Sequence, residues 1–156
     1  MEINLLTIGK TKIPFIIEGI SEYTKRLSRY TRFTIGIIPD VKSKSIDKNM
    51  QKELEGAAIL MTLSSSDFVV LLDERGREFS SVEFASYIEK ISASGRKRLV
   101  FVVGGPYGFC QKVYDRADAK ISLSRMTFNH EMVRLFFIEQ LYRAHTILRG
   151  EPYHHD

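Results

Sequence analysis

Four short apolar-rich runs, Ile3–Ile8, Phe33–Ile38, Phe68–Leu72 and Leu99–Val103, recur along the chain, each bounded by turn residues. Their length and content of Val, Ile, Leu and Phe predict strands. Between them the apolar period changes from continuous to helical. Ile16, Ile20, Tyr23 and Leu27 mark a helix over Pro14–Arg29, with Pro14 suited to the first turn. Met50, Leu54, Ala57, Ala58 and Met61 mark a second. A third over Ser80–Ser94 has Ser80 and Glu83 in capping-box relation and Gly95 as its stop. A short helical piece near Phe109–Arg116 and a brief strand near Lys120–Leu123 follow, and a long last helix runs from about Asn129 to Arg149, with Asn129 as N-cap and Gly150 as stop. Alternating strands and helices imply βαβ units, hence an α/β fold with a mostly parallel sheet and helices on both faces. The unbroken apolar runs Phe68–Leu72 and Leu99–Val103 are expected to be central strands, covered on both sides. No repeat or Pro/Gly/Ser linker divides the 156 residues, which read as one domain.

The last helix carries more apolar surface than one contact needs. Met132, Val133, Phe136, Phe137, Leu141, Ala144, Ile147 and Leu148 cover one broad side, while Leu135, Ile138 and Tyr142 project elsewhere. A central core helix accounts for this, and so does a helix shared with a second copy in a symmetric dimer.

Composition and charge narrow the class. Hydrophobic residues make up 44% and charged residues 27%, which excludes disordered and collagen-like chains. The longest charge-free stretch, Leu99 to Gln111, is too short to cross a bilayer and is broken by Gly104, Gly105 and Pro106. Met1-Glu2 lacks the basic start of a secretory signal, and a single cysteine, Cys110, rules out an intrachain disulfide, so a cytoplasmic location is expected. The net charge of +4 is a modest bias toward a polyanion such as nucleic acid. The bases cluster at Lys10, Lys12, Lys25, Arg26, Arg29 and Arg32, at Lys42, Lys44, Lys48 and Lys52, and at Arg96-Lys97-Arg98. Solvated faces and helix ends explain such clusters equally well.

In open α/β sheets ligands gather beyond the carboxyl ends of the strands. Those ends are Gly9–Lys12, Leu72–Gly76, Gly104–Gly108 and Leu123–Phe128. Gly104-Gly105-Pro106-Tyr107-Gly108 matches neither dinucleotide nor P-loop spacing; its glycines suit a close backbone approach or positive φ. Asp73 follows a buried strand as a phosphoacceptor would. Strand one, however, offers Thr7-Ile8-Gly9-Lys10 in place of the acidic pair that would hold Mg²⁺, so Asp73 is expected to fix its loop. Cys110 stands where a helix start could activate a thiol, although a buried apolar role is the commoner fate. His154-His155-Asp156 lacks metal-ligand spacing, and no metal is expected. The tail Arg149–Asp156 still concentrates groups that stack and transfer protons.

Together the strand ends, the segment Ile121–Phe128, the helix motif Leu141-Tyr142-Arg143-Ala144 and the closing Pro152-Tyr153-His154 resemble, over nearly the whole chain, the ribosomal RNA large subunit methyltransferase H family of the SPOUT class. The resemblance implies a C-terminal trefoil knot, a homodimer, S-adenosylmethionine as cofactor, and methylation of N3 of a pseudouridine in helix 69 of 23S rRNA within assembled ribosomes. By matching position, Leu72, Gly104, Gly105, Leu123, Ser124, Arg125, Met126, Thr127 and Phe128 would hold the cofactor. Arg143 would orient the target base or steady its developing anion, unless it merely pairs with Glu139 one helical turn away. Tyr153 and His154 would contact the nucleotide, and which of them acts as base is left open. Tyr107 in the glycine turn, Phe128 and His155 depart from the family pattern. Two other functions stay in view: a ribosome-associated RNA-binding protein without cofactor, and a methyltransferase using Cys110 covalently.

Overall fold

The computed structural model describes residues 1–41 and 45–155; Lys42, Lys44 and Asp156 lie outside them. The elements follow the expected alternation: β1 (Glu2–Ile8), α1 (Pro14–Leu27), β2 (Arg32–Ile38), α2 (Lys48–Thr62), β3 (Phe68–Glu78), α3 (Ser81–Ala93), β4 (Arg98–Val103), α4 (Gln111–Arg116), β5 (Ala119–Ser122) and α5 (Met132–Leu148). The five strands form one sheet in the order β2-β1-β4-β3-β5, and each neighbouring pair is parallel.

Crossover handedness decides where the helices go. Parallel crossovers are right-handed almost without exception. The connections β1-α1-β2 and β3-α3-β4 step toward the β2 edge, whereas β2-α2-β3 and β4-α4-β5 step toward the β5 edge. Opposite directions require opposite faces. The cores agree: Leu27 of α1 and Phe84, Ile88 and Ile91 of α3 pack on one side of the sheet, joined by Phe137, Ile138 and Leu141 of α5. Ile59 of α2 and Val113 of α4 pack on the other. Because α3 and α4 leave the adjacent strands β3 and β4 toward opposite faces, a crevice opens at the carboxyl ends of those strands.

Local signals were sound. Pro14 opens α1, Ser80 and Glu83 form a complete capping box, and Gly95 and Gly150 end their helices at positive φ. Three expectations change. The third strand runs on to Glu78, and both Leu72 and Arg77 pair with Ile121, so Asp73–Gly76 loops out between them. The apolar stripe of α2 is not its buried face: Met50, Leu54 and Met61 are exposed, whereas Glu55, Gly56 and Ile59 are buried. Gly56 explains the rotation, since a Cβ there would stand 2.3 Å from Cys110 Sγ, and only glycine lets the helix come so close. Asn129 caps the turn before α5 by accepting from Glu131 N at 2.9 Å, and the helix itself begins at Met132. Much of the surplus apolar surface of α5 is covered within the chain, while Phe136 and Leu148 stay exposed. Ile138 is fully buried, Leu135 abuts Gly19 of α1, and the Tyr142 ring lies against Tyr23, Tyr30 and Tyr153.

From β5 the chain crosses the strand ends to reach β1. There the Glu131 carboxylate accepts the backbone N–H groups of Lys12 and Ile13. Arg134, buried, donates to Ile8 O at 2.8 Å, Gly9 O at 3.0 Å and Thr11 Oγ1 at 3.0 Å. This clamp seats α5 on the sheet.

At the far end of α5, His145 lies beside the Tyr30 ring with Nε2 buried and unpartnered. Burial, helped by Arg149, pushes its pKa down from 6.5 to about 4. The folded state thus binds its proton less readily than the unfolded state, so stability is intact above pH 6.5 and declines as pH falls from 6.5 toward 4. The expected loss is about 3 kcal/mol, and His145→Phe, which keeps the ring and removes the titration, should flatten the stability profile measured by urea titration across that range.

Candidate active site

The crevice at the carboxyl ends of β3, β4 and β5 is a cleft of about 740 Å³. Three backbone devices shape it. The Asp73–Gly76 loop forms one wall, fixed by Asp73, whose carboxylate accepts Arg75 N at 2.8 Å and the Tyr114 hydroxyl. Burial and that carboxylate push the Tyr114 phenol up to about 12, so it stays a donor at neutral pH. Gly76 permits this return, because a Cβ there would stand 2.5 Å from the Ile121 backbone.

The glycine turn forms the second wall. Only Gly108 has positive φ, at 79°; Gly104 and Gly105 do not. Their requirement is close approach instead. A Cβ on Gly104 would stand 3.1 Å from the Phe109 ring, and one on Gly105 would stand 2.5 Å from Oε2 of Glu55. Tyr107 sits on the rim with Lys48 Nζ 5.4 Å above its ring. The third wall is the segment after β5, set by Ser122 Oγ donating to Ser124 O and by Met126 N donating to Ser124 Oγ, both at 2.9 Å.

Leu72, Gly104, Gly105, Leu123, Ser124, Met126, Thr127 and Phe128 all line this cleft. Arg125 does not: it is largely exposed, with Nε 3.5 Å from Glu78 Oε1. Apolar Leu72, Val103, Leu123 and Phe128 share the walls with Lys52, Arg75, Ser124 and Thr127. Such walls can enclose an apolar ring while hydrogen-bonding a polar, charged end, as a nucleoside bearing an amino-acid arm requires. Cys110 reaches the cleft wall but is only 4% exposed and packs in the core against Gly56. That setting suits packing rather than covalent attack.

Arg143, Tyr153 and His154 are gathered at a second place, around Glu139. Arg143 Nη2 donates to Glu139 Oε1 at 2.6 Å, its Nη1 lies 3.2 Å from His154 Nδ1, and its guanidinium sits 4.8 Å from the centre of the Tyr153 ring. Tyr153 donates to the same Glu139 oxygen at 3.0 Å, and its hydroxyl lies 3.3 Å from that of Tyr23. Burial together with Tyr23 and Glu139 raises the Tyr153 phenol above its usual range, which keeps it protonated. The hydrogen bond to Glu139 raises the Arg143 guanidinium in turn. The helical pair of Arg143 with Glu139 is thus present, and the same guanidinium also reaches His154. Since a guanidinium can only donate, Nδ1 of His154 is the acceptor in this contact. The tail is seated by Gly150 N donating to Ile147 O and Glu151 N donating to Thr146 O, each at 3.0 Å.

Glu139 also lines a smaller apolar side pocket of about 210 Å³ that shares Ser122, Leu123 and Phe128 with the cleft. The side pocket is the link between the two groups of residues. Glu139 was visible in the sequence only as a helical partner of Arg143. Tyr23, on another helix, left no local signal. Glu55 left none either, since the inner face of α2 is set by Gly56 meeting Cys110 from a distant segment. Among the described residues no group of three or more His, Cys, Asp or Glu is placed to hold a metal ion, and no helix is long and apolar enough to cross a membrane.

Comparison with known proteins agrees in extent and kind. The family model described as "Predicted SPOUT methyltransferase" matches residues 1–154. The chain is 58% identical to ribosomal RNA large subunit methyltransferase H of Christiangramia forsetii over 99% of both chains. It is 54% identical to the protein of that name from Parabacteroides distasonis over 100% of both, and 56% identical to that of Flavobacterium johnsoniae over 99% of both. With the fold, the strand-end cleft and a match spanning nearly every residue, the chain belongs to the SPOUT methyltransferase family.

Proposed function

We propose that this protein is a cytoplasmic, S-adenosylmethionine-dependent methyltransferase of large-subunit ribosomal RNA, acting on N3 of a pseudouridine in helix 69 of assembled ribosomes. The observation that carries the proposal is a strand-end cleft fit for the donor on a chain that also gathers Arg143, Glu139, Tyr153 and His154 into one cluster. The relatives' names supply the substrate class. Residues 1–156 act as one domain, with a C-terminal trefoil knot; the return of the chain from β5 across the strand ends to β1 accords with it.

When bound, the cofactor supplies an electrophilic methyl group on a sulfonium sulfur. Leu72, Gly104, Gly105 and the Leu123–Phe128 segment hold it and exclude water. Methylation replaces the imide N–H by N–CH3, so one proton must leave the base. Arg143, held by Glu139, turns from His154 to the base and steadies the anion that forms there. The same movement withdraws the Arg143 donor from Nδ1 of His154, which takes the proton and passes it to water. Tyr153, kept protonated, positions the nucleotide by stacking and donation.

The working unit is a homodimer in which the cleft of one protomer faces the tail of its partner. Its support is the outer face of α1, where Phe15 is 63% and Ile17 47% exposed around a shallow groove. Light scattering should give twice the 18.0 kDa chain mass; a monomer at working concentration contradicts the composite site. The function is tested with labelled S-adenosylmethionine and ribosomes that carry the pseudouridine unmethylated. Transfer to whole ribosomes, exceeding that to subunits or naked rRNA, is the expected result. No transfer to any of the three refutes the function, and failure of calorimetry to detect cofactor binding favours the cofactor-free RNA-binding alternative.

A further inference from the structure

Glu55 is a carboxyl without an evident reason to be where it is. It is 2% exposed, on the inner face of α2 behind the glycine turn. Oε1 accepts from Gln51 Nε2 at 3.0 Å, but Oε2 is buried with no hydrogen-bond partner. Among the described residues no lysine, arginine or histidine lies within ion-pair distance of it. The carboxyl is pressed on the backbone of Gly105, in the space a Cβ would fill, and Gly105 itself lines the cleft. A buried, half-satisfied carboxyl normally costs stability, and an apolar residue of the same length would serve packing better. The compensating charge is therefore to be sought beyond Gly105, in the cleft.

We propose that Glu55 is the buried counter-charge for the sulfonium of the methyl donor, acting through the Gly104–Gly105 backbone so that the cleft prefers the charged donor to the neutral thioether left after transfer. Donor and product differ at that atom by one methyl group and one positive charge, and a buried carboxylate behind the cleft wall distinguishes them by charge alone. Glu55 is thereby a positioning residue that helps expel product. Burial raises its pKa and Asp40 adds to the rise, against the opposing Gln51 hydrogen bond, so a cation bound in the cleft would favour its ionisation.

The inference rests on the methyltransferase function, and one titration separates the two. Calorimetry with S-adenosylmethionine and S-adenosylhomocysteine is run on the wild-type protein and on Glu55→Gln, which keeps the shape and the bond to Gln51. About a tenfold loss of affinity for the methyl donor, with less than a twofold change for the thioether, is expected. Melting temperature should hold or rise, because an unsatisfied charge is removed; Glu55→Met serves as the second variant and should show the same selective loss. Equal losses for both ligands, or no loss for either, overturn the counter-charge role while leaving the methyltransferase function standing. If the wild-type protein binds neither ligand, the function fails and the inference with it.

Discussion

Arg143→Ala is expected to lower the rate of methyl transfer by about 10²–10³-fold, the scale seen when one oriented donor to a developing anion is removed. Cofactor affinity should stay within about twofold of wild type, because Arg143 lies with Glu139 and the tail and does not line the donor cleft. Arg143→Lys is expected to recover little. Lysine keeps the charge, but it cannot at once bond Glu139 and reach His154, as the planar fork does here. Single-turnover transfer to ribosomes, paired with calorimetric titration of the cofactor, separates the step from the binding. A large loss of cofactor affinity would contradict the placement of Arg143 on the nucleotide side.

The second large effect concerns folding. Arg134→Met should reduce stability by about 3–5 kcal/mol, as expected when one partner of a buried charged network is removed. The methionine can fill the space but leaves the carbonyls of Ile8 and Gly9 without their donor and the Glu131 carboxylate without its neighbouring cation. Denaturant midpoints should fall with the slope unchanged. Glu131, whose pKa is lowered because the Lys12 and Ile13 amides and nearby cations outweigh its burial, belongs to the same clamp. The two sites should therefore be coupled: the double change Glu131→Gln with Arg134→Met is expected to cost less than the two separate losses added together.

Local rules carried most of the fold because they act within one or two turns of chain. Pro14, the Ser80–Glu83 box, Gly95 and Gly150 mark helix ends by the backbone groups they satisfy or the φ they allow, and the structure uses all four as expected. The buried face of α2 is not legible in the sequence because Met50, Leu54 and Met61 form a regular stripe, whereas the true contact depends on Gly56 meeting Cys110 from a distant segment. The β3 extension was missed for a related reason. Asp73-Glu74-Arg75 looks like the end of a strand, and only pairing of Arg77 and Glu78 with β5 resumes it. In the candidate site, the residue types at the strand ends were legible from position alone, since the carboxyl end of a parallel sheet is where such loops converge.

The sequence by itself determined an α/β chain with a mostly parallel sheet, the strand ends where a ligand can enter, and a chemically loaded tail. Its hydrophobic period and turn residues encode these directly. Tertiary structure alone decided that Gly104 and Gly105 serve contact with Phe109 and Glu55 rather than positive φ, that Arg125 turns from the cleft, and that Glu139 joins Tyr23, Arg143 and Tyr153. It decided too that an unpaired carboxyl stands behind the glycine turn. Each of these depends on side chains far apart in the chain meeting at a few ångströms, and no local period or propensity records such a meeting.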